Sequence, residues 1–438
     1  MFNYNLRLAF KSMQRNPIMT ALMITAIAVG IGISMTTLSV YHMMSSDPIP
    51  HKSDVLFAVT LDSWNPLRPF DDDRPERAPH QLTFHDAERL VALGAGKRQT
   101  AMFESSLIIE PLNDEDLPFE ATARVAYSDF FAMFDVPFVF GGGWDKSADV
   151  AAEPVVVLSR QLNERLFGGE NSVGESLTME GVRFRVVGVI DTWEPTPRFY
   201  DPINGGFQEV REMFIPFSLT RMMELKSIGS DWGWKWEETN TFEQWLNSEA
   251  VWVQYFVELE SADEREEYVA HLDAYVGEQK RLGRFERPMN NSIHNVGEWM
   301  EYHEVVAQDS KVLVGLSFLF LVVCLLSTIA LTLTKFVGKK AETSLRRALG
   351  ASRKMIFKQQ LVEVGVIGFS GGLIGLVLVM LGLEGIEYLY DSPGGLARLD
   401  WLMVFTSVTV AIVSGMIAGL YPAWRVCRIP PANQLKTQ

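Results

Sequence analysis

The chain has 438 residues, a net charge of −15 and only two cysteines, and its mean hydropathy is +0.07. That length exceeds one ordinary core, and the hydropathy excludes a polytopic carrier with short loops. The cysteine count excludes a disulfide scaffold, and nothing in the charge pattern calls for a nucleic-acid partner.

Residues 1–17 come first. Asn3–Arg15 sets Leu6, Phe10 and Met13 near one face and Arg7, Lys11 and Arg15 near the other, which predicts an amphipathic helix on a membrane surface. Ile18–Val40 is the first of four charge-free apolar runs, the others being Val312–Thr334, Val364–Leu383 and Trp401–Trp424. Each has about 20 to 24 residues, enough at ~1.5 Å per residue to cross a ~30 Å hydrocarbon layer. The first run lacks a small-x-small cleavage site, so it reads as an uncleaved anchor. The spans are placed at 18–42, within 309–335 after a stalk, at 361–384 and at 401–424.

Between the first two spans, residues 43–308 alternate strand and helix patterns. Val55–Leu61 and 101–110 read as strands, and Thr83–Leu93 reads as a helix capped by Thr83. Val155–Leu158, Val182–Ile190 and Ala250–Leu259 read as strands, and Arg160–Phe167 as a helix. Ser261–Glu278 reads as a helix opened by a Ser261/Glu264 capping box. From Val296 the pattern is helical and is expected to run unbroken into the second span. The expected organisation is α+β, with a split subdomain at about 50–110 and 220–300 and an inserted one at about 110–220.

Charge then orients the chain. Lys335, Lys339, Lys340, Arg346, Arg347, Arg353, Lys354 and Lys358 crowd one loop, with Glu342 as its acid. The N-terminus and the tail from 425 to 438 are also basic. The hairpin at 385–400 and its edge carry Glu384, Glu387, Asp391 and Asp400 against Arg398. The positive-inside rule puts both termini and the 336–360 loop in the cytoplasm, and the large domain outside. The fold class expected is an α-helical membrane protein with four transmembrane helices and a large external α+β domain of two subdomains.

Chemistry is looked for next. Gly169 to Gly174 has the glycine spacing of a phosphate loop, but Glu175 stands where its lysine belongs and would repel phosphate. The seven histidines show no paired metal-ligand spacing, Asp71-Asp72-Asp73 reads as a solvated run, and no G-x-S-x-G elbow occurs. No catalytic residue, metal site or cofactor is expected, and the energy source lies in another chain. Small residues four apart, including Gly30, Gly32, Gly368/Gly372, Gly375 and Gly415/Gly419, suit close helix packing, with one seam left open to a second copy. No charge sits mid-span, so no polar substrate path is marked, and Glu363 reads as interfacial. Trp232, Trp234, Trp236 and Trp245 cluster in the external domain, either as core or as a partner or substrate surface.

Lys340-Ala-Glu342-Thr-Ser-Leu345-Arg346-Arg347-Ala348-Leu-Gly350-Ala-Ser352-Arg353, followed by Gly371-Gly372-Leu-Ile-Gly375, resembles the loop and span of FtsX/MacB-type ABC permeases. Gly419-Leu-Tyr421-Pro422-Ala423-Trp-Arg425 is similar to that family's G-x-x-P-A-x-R signature, and Val155–Ser159, Leu166-Phe167-Gly168, Val173-Gly174 and Val186–Val189 to its periplasmic core domain. The resemblance implies an inner-membrane dimer of permeases on two ABC ATPase subunits, which carry the ATP and Mg. Glu342, Leu345, Arg346, Arg347, Ala348, Gly350, Ser352 and Arg353 would form the coupling helix seated in the ATPase, and motion would pass to the external domains. Cargo would be a compound, peptide or lipid-linked molecule, with a periplasmic adaptor and outer-membrane channel as further partners. Thr343-Ser344 and Pro430-Pro431 depart from the family's usual residues and leave a hetero-dimer of unlike permeases open. No fused ATPase is expected on this chain. The alternatives are an FtsX-like regulator of a cell-wall hydrolase, or a Lol-type lipoprotein-release permease.

Overall fold

The computed structural model describes residues 2–110, 117–306, 308–339, 343, 345, 346, 349–389, and 405, 406, 409, 410, 412, 413, 416, 419–422 and 424. Of the residues singled out above, Lys340, Glu342, Ser344, Arg347, Ala348, Trp401, Gly415 and Ala423, the stretch from 390 to 400 and the tail from 425 lie outside the described residues. In chain order the elements are α1 (Phe2–Arg15), α2 (Pro17–Met44), β1 (Leu56–Thr60), β2 (Leu82–Thr83), α3 (Phe84–Leu93), β3 (Arg98–Ile109), β4 (Phe119–Ala126), α4 (Asp129–Met133), β5 (Phe138–Gly141), α5 (Lys146–Ala151), β6 (Val155–Leu158) and α6 (Arg160–Phe167). Then follow β7 (Ser176–Met179), β8 (Val182–Ile190), β9 (Met213–Pro216), α7 (Leu219–Met223), α8 (Phe242–Leu246), β10 (Val251–Glu258), α9 (Ala262–Arg281), β11 (Ser292–Asn295), α10 (Val296–Tyr302), α11 (Gln308–Gly338) and α12 (Arg353–Leu389). Two compact units form, Met1–Ser45 with Val306–Gln438, and Ser46–Val305.

In the first unit, Pro17–Met44, Asp309–Gly338 and Arg353–Ile386 are, among the described residues, the three helices long and apolar enough to cross a membrane. Pro17 opens α2 at a position whose N–H would have no helical partner. Met23, Ile27, Ile31 and Met35 of α2 pack on Leu321 of α11 and on Ile367, Val379 and Leu383 of α12. Small residues set the spacing. A Cβ on Gly371 would come within 2.8 Å of Ile27, and one on Gly32 within 2.9 Å of Leu378. Gly30 abuts Leu321 and Cys324, Gly375 abuts Ala28 and Ile31, and Gly419 abuts Val364. Gly368 and Gly372 are buried.

The second unit is built on one hydrogen-bonded ladder in the order β11-β1-β10-β3-β4-β9-β6-β8-β5. β2 joins β10, and β7 joins β3 and β8. Pairing is antiparallel except for β4–β9 and β6–β8. Strands from the stretch expected as an inserted subdomain continue the ladder of the flanking stretches. Both faces are covered. Phe57, Val59, Val156 and Leu158 enter one core, while their neighbours Leu56, Ala58, Val155 and Val157 enter another. Strands buried on both sides read as continuous apolar runs, which is why β1, β6 and β10 stand out in the sequence.

Caps set the helix starts. The Thr83 hydroxyl accepts from Asp86 N–H, and Ser159 accepts from Leu162 N–H. Ser261 accepts from Glu264 N–H, but the Glu264 carboxylate takes the N–H of Glu260, so the expected box is half made. The helix expected to run unbroken from Val296 stops at a cap on His303, and Glu304 takes a positive φ of 50°.

Two polar groups stand out in this unit, one buried and one half-buried. Glu104 on β3 faces Arg124 on β4 in register, and Arg124 Nη2 reaches Glu104 Oε1 at 2.7 Å and Asp201 Oδ2 at 2.5 Å. Arg198 and Arg211 also pair with Glu104, and Gln254 Nε2 donates to Asp201 at 2.8 Å. Burial works against ionising Asp201, yet Arg124 and Arg198 hold its carboxyl below the ordinary range. The second group is neutral. His80 lies 4.6 Å from His303 with the two rings tilted at 52°, beside Tyr302 and Trp299, and burial, then Arg77, push the His80 pKa down to about 4.

Candidate functional site

At one end of the helical unit, α1, α2, α11 and α12 meet on a single carboxylate. Lys335 Nζ lies 2.9 Å from Glu363 Oε1, and Lys339 Nζ lies 3.1 Å from both oxygens. Ser12 of α1 donates to Glu363 Oε1 at 2.5 Å and accepts from Lys339. Lys335 also donates to Thr20 of α2 at 3.1 Å. The Lys335 side chain is fully buried and that of Glu363 is 4 % exposed. A buried charge is tolerated only with its partners in place, so shifting any one of these helices disturbs all of them.

Beside this knot opens a cleft of about 560 Å³, lined in part by Lys11, Arg15, Lys339, Arg346, Gln360 and Glu363. The loop predicted to couple forms its rim. Arg346 Nη1 donates to Gln359 Oε1 of α12 at 3.1 Å. Gly350 takes a φ of 99°, which a side chain would disfavour, and this turns the chain so that Ser352 caps α12 by accepting from Met355 N–H at 3.2 Å. Arg353 follows as the first residue of α12 and is exposed. Leu345 and Leu349 are 61 % and 80 % exposed. Apolar side chains held out by a fixed turn beside cations can dock on a partner surface.

Sequence reasoning placed Lys335 in a basic flank and Glu363 at an interface. It missed their pairing, because residues 28 apart in sequence carry no spacing signal. On α1, Ala9 is buried and Phe10, expected on the face towards the membrane, is 53 % exposed.

In the other unit the tryptophans divide. Trp245 stacks on the buried Trp252 at 4.5 Å, as core. Trp234 donates to Ser63 O at 3.1 Å. Trp232 and Trp236 are 51 % and 85 % exposed. The Gly169–Glu175 stretch is a turn. Gly168 ends α6 in a left-handed cap, and the Ser172 hydroxyl is turned inward to Asn163. Among the described residues, no group of three or more His, Cys, Asp or Glu is placed to hold a metal.

Comparison with known proteins adds the following. Residues 20–275 match the MacB-like periplasmic core domain, and residues 314–431 match the FtsX-like permease C-terminal region. A macrolide export ATP-binding/permease protein MacB from Rhodospirillum rubrum is 24% identical over 100% of this chain and 61% of its own length. One from Azoarcus sp. is 23% identical over 65% of this chain and 38% of its own length. The uncharacterized ABC transporter permease YknZ of Bacillus subtilis is 22% identical over 66% of this chain and 62% of its own length. The chain thus spans 38% to 61% of these two MacB proteins. Among solved structures, the periplasmic region of MacB from Actinobacillus actinomycetemcomitans aligns with 58% of this chain and 95% of its own, at 15% identity and a TM-score of 0.37. The chain therefore belongs to the MacB-like family of ABC transporter permeases, with a periplasmic core domain joined to an FtsX-like membrane region.

Proposed function

We propose that this chain is a four-span permease subunit of the inner membrane that converts ATP hydrolysis on a partner ATPase into movement of its periplasmic domain. Both termini and the 336–360 loop face the cytoplasm, and a second permease, identical or paralogous, completes a dimer. The chain itself performs no catalysis. ATP and Mg sit on the ATPase, and Leu345, Arg346, Arg347 and their neighbours seat against it. The work is export of a compound, peptide or lipid-linked cargo, with an adaptor and an outer-membrane channel as further partners. Trp232 and Trp236 offer an exposed aromatic surface for cargo or adaptor.

The observation that carries this reading is the four-helix knot on Glu363 beside the exposed loop. A displacement at the loop reaches α1, α2, α11 and α12 through one carboxylate. The test is co-purification from the native host in mild detergent, with the Arg346→Glu/Arg347→Glu double variant alongside. The ATPase should accompany the wild type and be lost from the variant, while urea unfolding of the external domain stays unchanged. An ATPase that stays bound to the variant and is still stimulated by it would overturn the coupling assignment.

A further inference from the structure

A buried carboxylate needs a counter-charge, and the sheet unit supplies one in all but one case. Among the described residues its buried acids are Asp62, Asp86, Glu104, Asp149, Asp201 and Glu258. Asp62 meets Arg287, Asp86 meets Arg284, Glu104 and Asp201 share Arg124, and Glu258 meets Arg98. Asp149 on α5 is 9 % exposed and is the exception. Its oxygens accept from two neutral donors, the Ser128 N–H at 2.9 Å and Trp144 Nε1 at 2.8 Å. Lys146 of the same helix pairs with Asp129 instead. These bonds orient the Asp149 carboxylate without neutralising it, and burial pushes its pKa up.

Asp149 lines a cavity of about 270 Å³. One wall is aromatic, with Phe84 stacked on Phe217 at 5.2 Å and Tyr127 stacked on Phe217 at 4.9 Å. A second observation is independent of charge. The Ser218 hydroxyl also lines the cavity and is enclosed without a hydrogen-bond partner. Such a group calls for a polar atom from an occupant. Arg221, the cation in the lining, is already held by Glu88 at 2.9 Å and by Glu243. An anionic occupant would therefore face Asp149 and Glu88, and a neutral one would leave Asp149 uncompensated. The volume lies at the small end of ligand pockets and suits one ring with a short arm.

We infer that this cavity binds a compact organic ammonium carrying one aromatic ring, with its nitrogen on Asp149 and the Ser218 hydroxyl and its ring against Tyr127 and Phe217. A cation beside an aromatic wall gains from the ring faces as well as from the carboxylate. This goes beyond the coupling reading and needs no ATPase, so its failure would leave that reading untouched.

The test is a saturation-transfer NMR titration of the full chain in phosphatidylcholine nanodiscs at pH 7. The probes are phenethylamine, the neutral 2-phenylethanol and the anionic 3-phenylpropionate. Phenethylamine should bind at least tenfold more tightly than phenylethanol, because its hydrogen bond to Asp149 is charge-assisted. Asp149→Asn should remove that preference, and Ser218→Ala should weaken the amine about threefold. Val150→Lys sets an ammonium on the cavity rim at a side chain that is 89 % exposed, so the fold should be kept. It should weaken phenethylamine about fivefold and leave phenylethanol unchanged. Equal binding of amine and alcohol to the wild type would overturn the proposal, as would a Val150→Lys chain that binds the amine as the wild type does. Tighter binding of phenylpropionate would put the site on Arg221 and overturn it too. N-acetyllysinamide binding as tightly as phenethylamine would mark a seat for a partner's lysine and overturn the small-molecule assignment. Should Asp149→Asn fail to fold, having lost an acceptor for Ser128 or Trp144, the Val150→Lys comparison decides.

Discussion

The two units each bury ionic groups and use them differently. In the sheet, Glu104, Arg124, Asp201 and Arg198 are almost wholly enclosed, and each carboxylate meets at least two guanidiniums. In the helical unit, Glu363 gathers Lys335, Lys339 and Ser12, and the cleft opens on the same spot. An enclosed network has one arrangement and locks a fold. A network with an open flank can be reached by a ligand or partner and can pass on a displacement. Enclosure therefore marks the network that only unfolding can break, and the open flank marks the one that a bound group can reach.

The largest effect should come from breaking the enclosed network. Arg124→Leu removes the guanidinium that Glu104 and Asp201 share and should destabilise the sheet unit by about 3–5 kcal/mol, read by urea unfolding through tryptophan fluorescence. A loss below 1 kcal/mol would mean that the network is not what locks the sheet. Next comes acid. The unfolded chain protonates His80 near pH 6.5 and the folded chain only near 4. Its contribution is thus complete above pH 6.5 and is lost as pH falls towards 4, about 3 kcal/mol in all. His80→Phe should flatten the pH dependence of unfolding in that window, and an unchanged slope would count against it. Smaller again is Glu363→Gln, which leaves Lys335 buried without its counter-charge. It should cost the helical unit about 2 kcal/mol and abolish ATPase stimulation, with Cys324 labelling as the probe. If stimulation survives while labelling rises, the knot is structural only. Trp236→Ala should shift unfolding by less than about 0.5 kcal/mol, since the side chain is 85 % exposed. Any phenotype it shows would then belong to binding.

Much of the sheet unit was legible because β1, β6 and β10 are largely apolar runs and α3, α6 and α9 start at Ser or Thr caps. Arg160–Phe167 and Val155–Leu158 emerge at the expected residues. Glu104, Arg124 and Asp201 were not legible. Alternation alone reads polar strand residues as solvent-facing, and the segment carrying Arg198, Asp201 and Arg211, which has no period of its own, supplies their partners. In the helical unit, the small-residue spacing pointed to Gly32, Gly371 and Gly375 before any packing partner was known. The partner of Glu363 required three dimensions.

The strands that open and close the sheet unit lie side by side, with Phe57 opposite Asn295 and Thr60 opposite Ser292. Because the pair is antiparallel, the chain enters and leaves at the same end of it. A pull applied equally to both connections carries the domain along without loading a single rung. A pull that separates them peels the pair one hydrogen bond at a time from Phe57 and Asn295, which is the weakest direction for a ladder. Tension at this shared end therefore loads the pair least when both connections move together and most when they part.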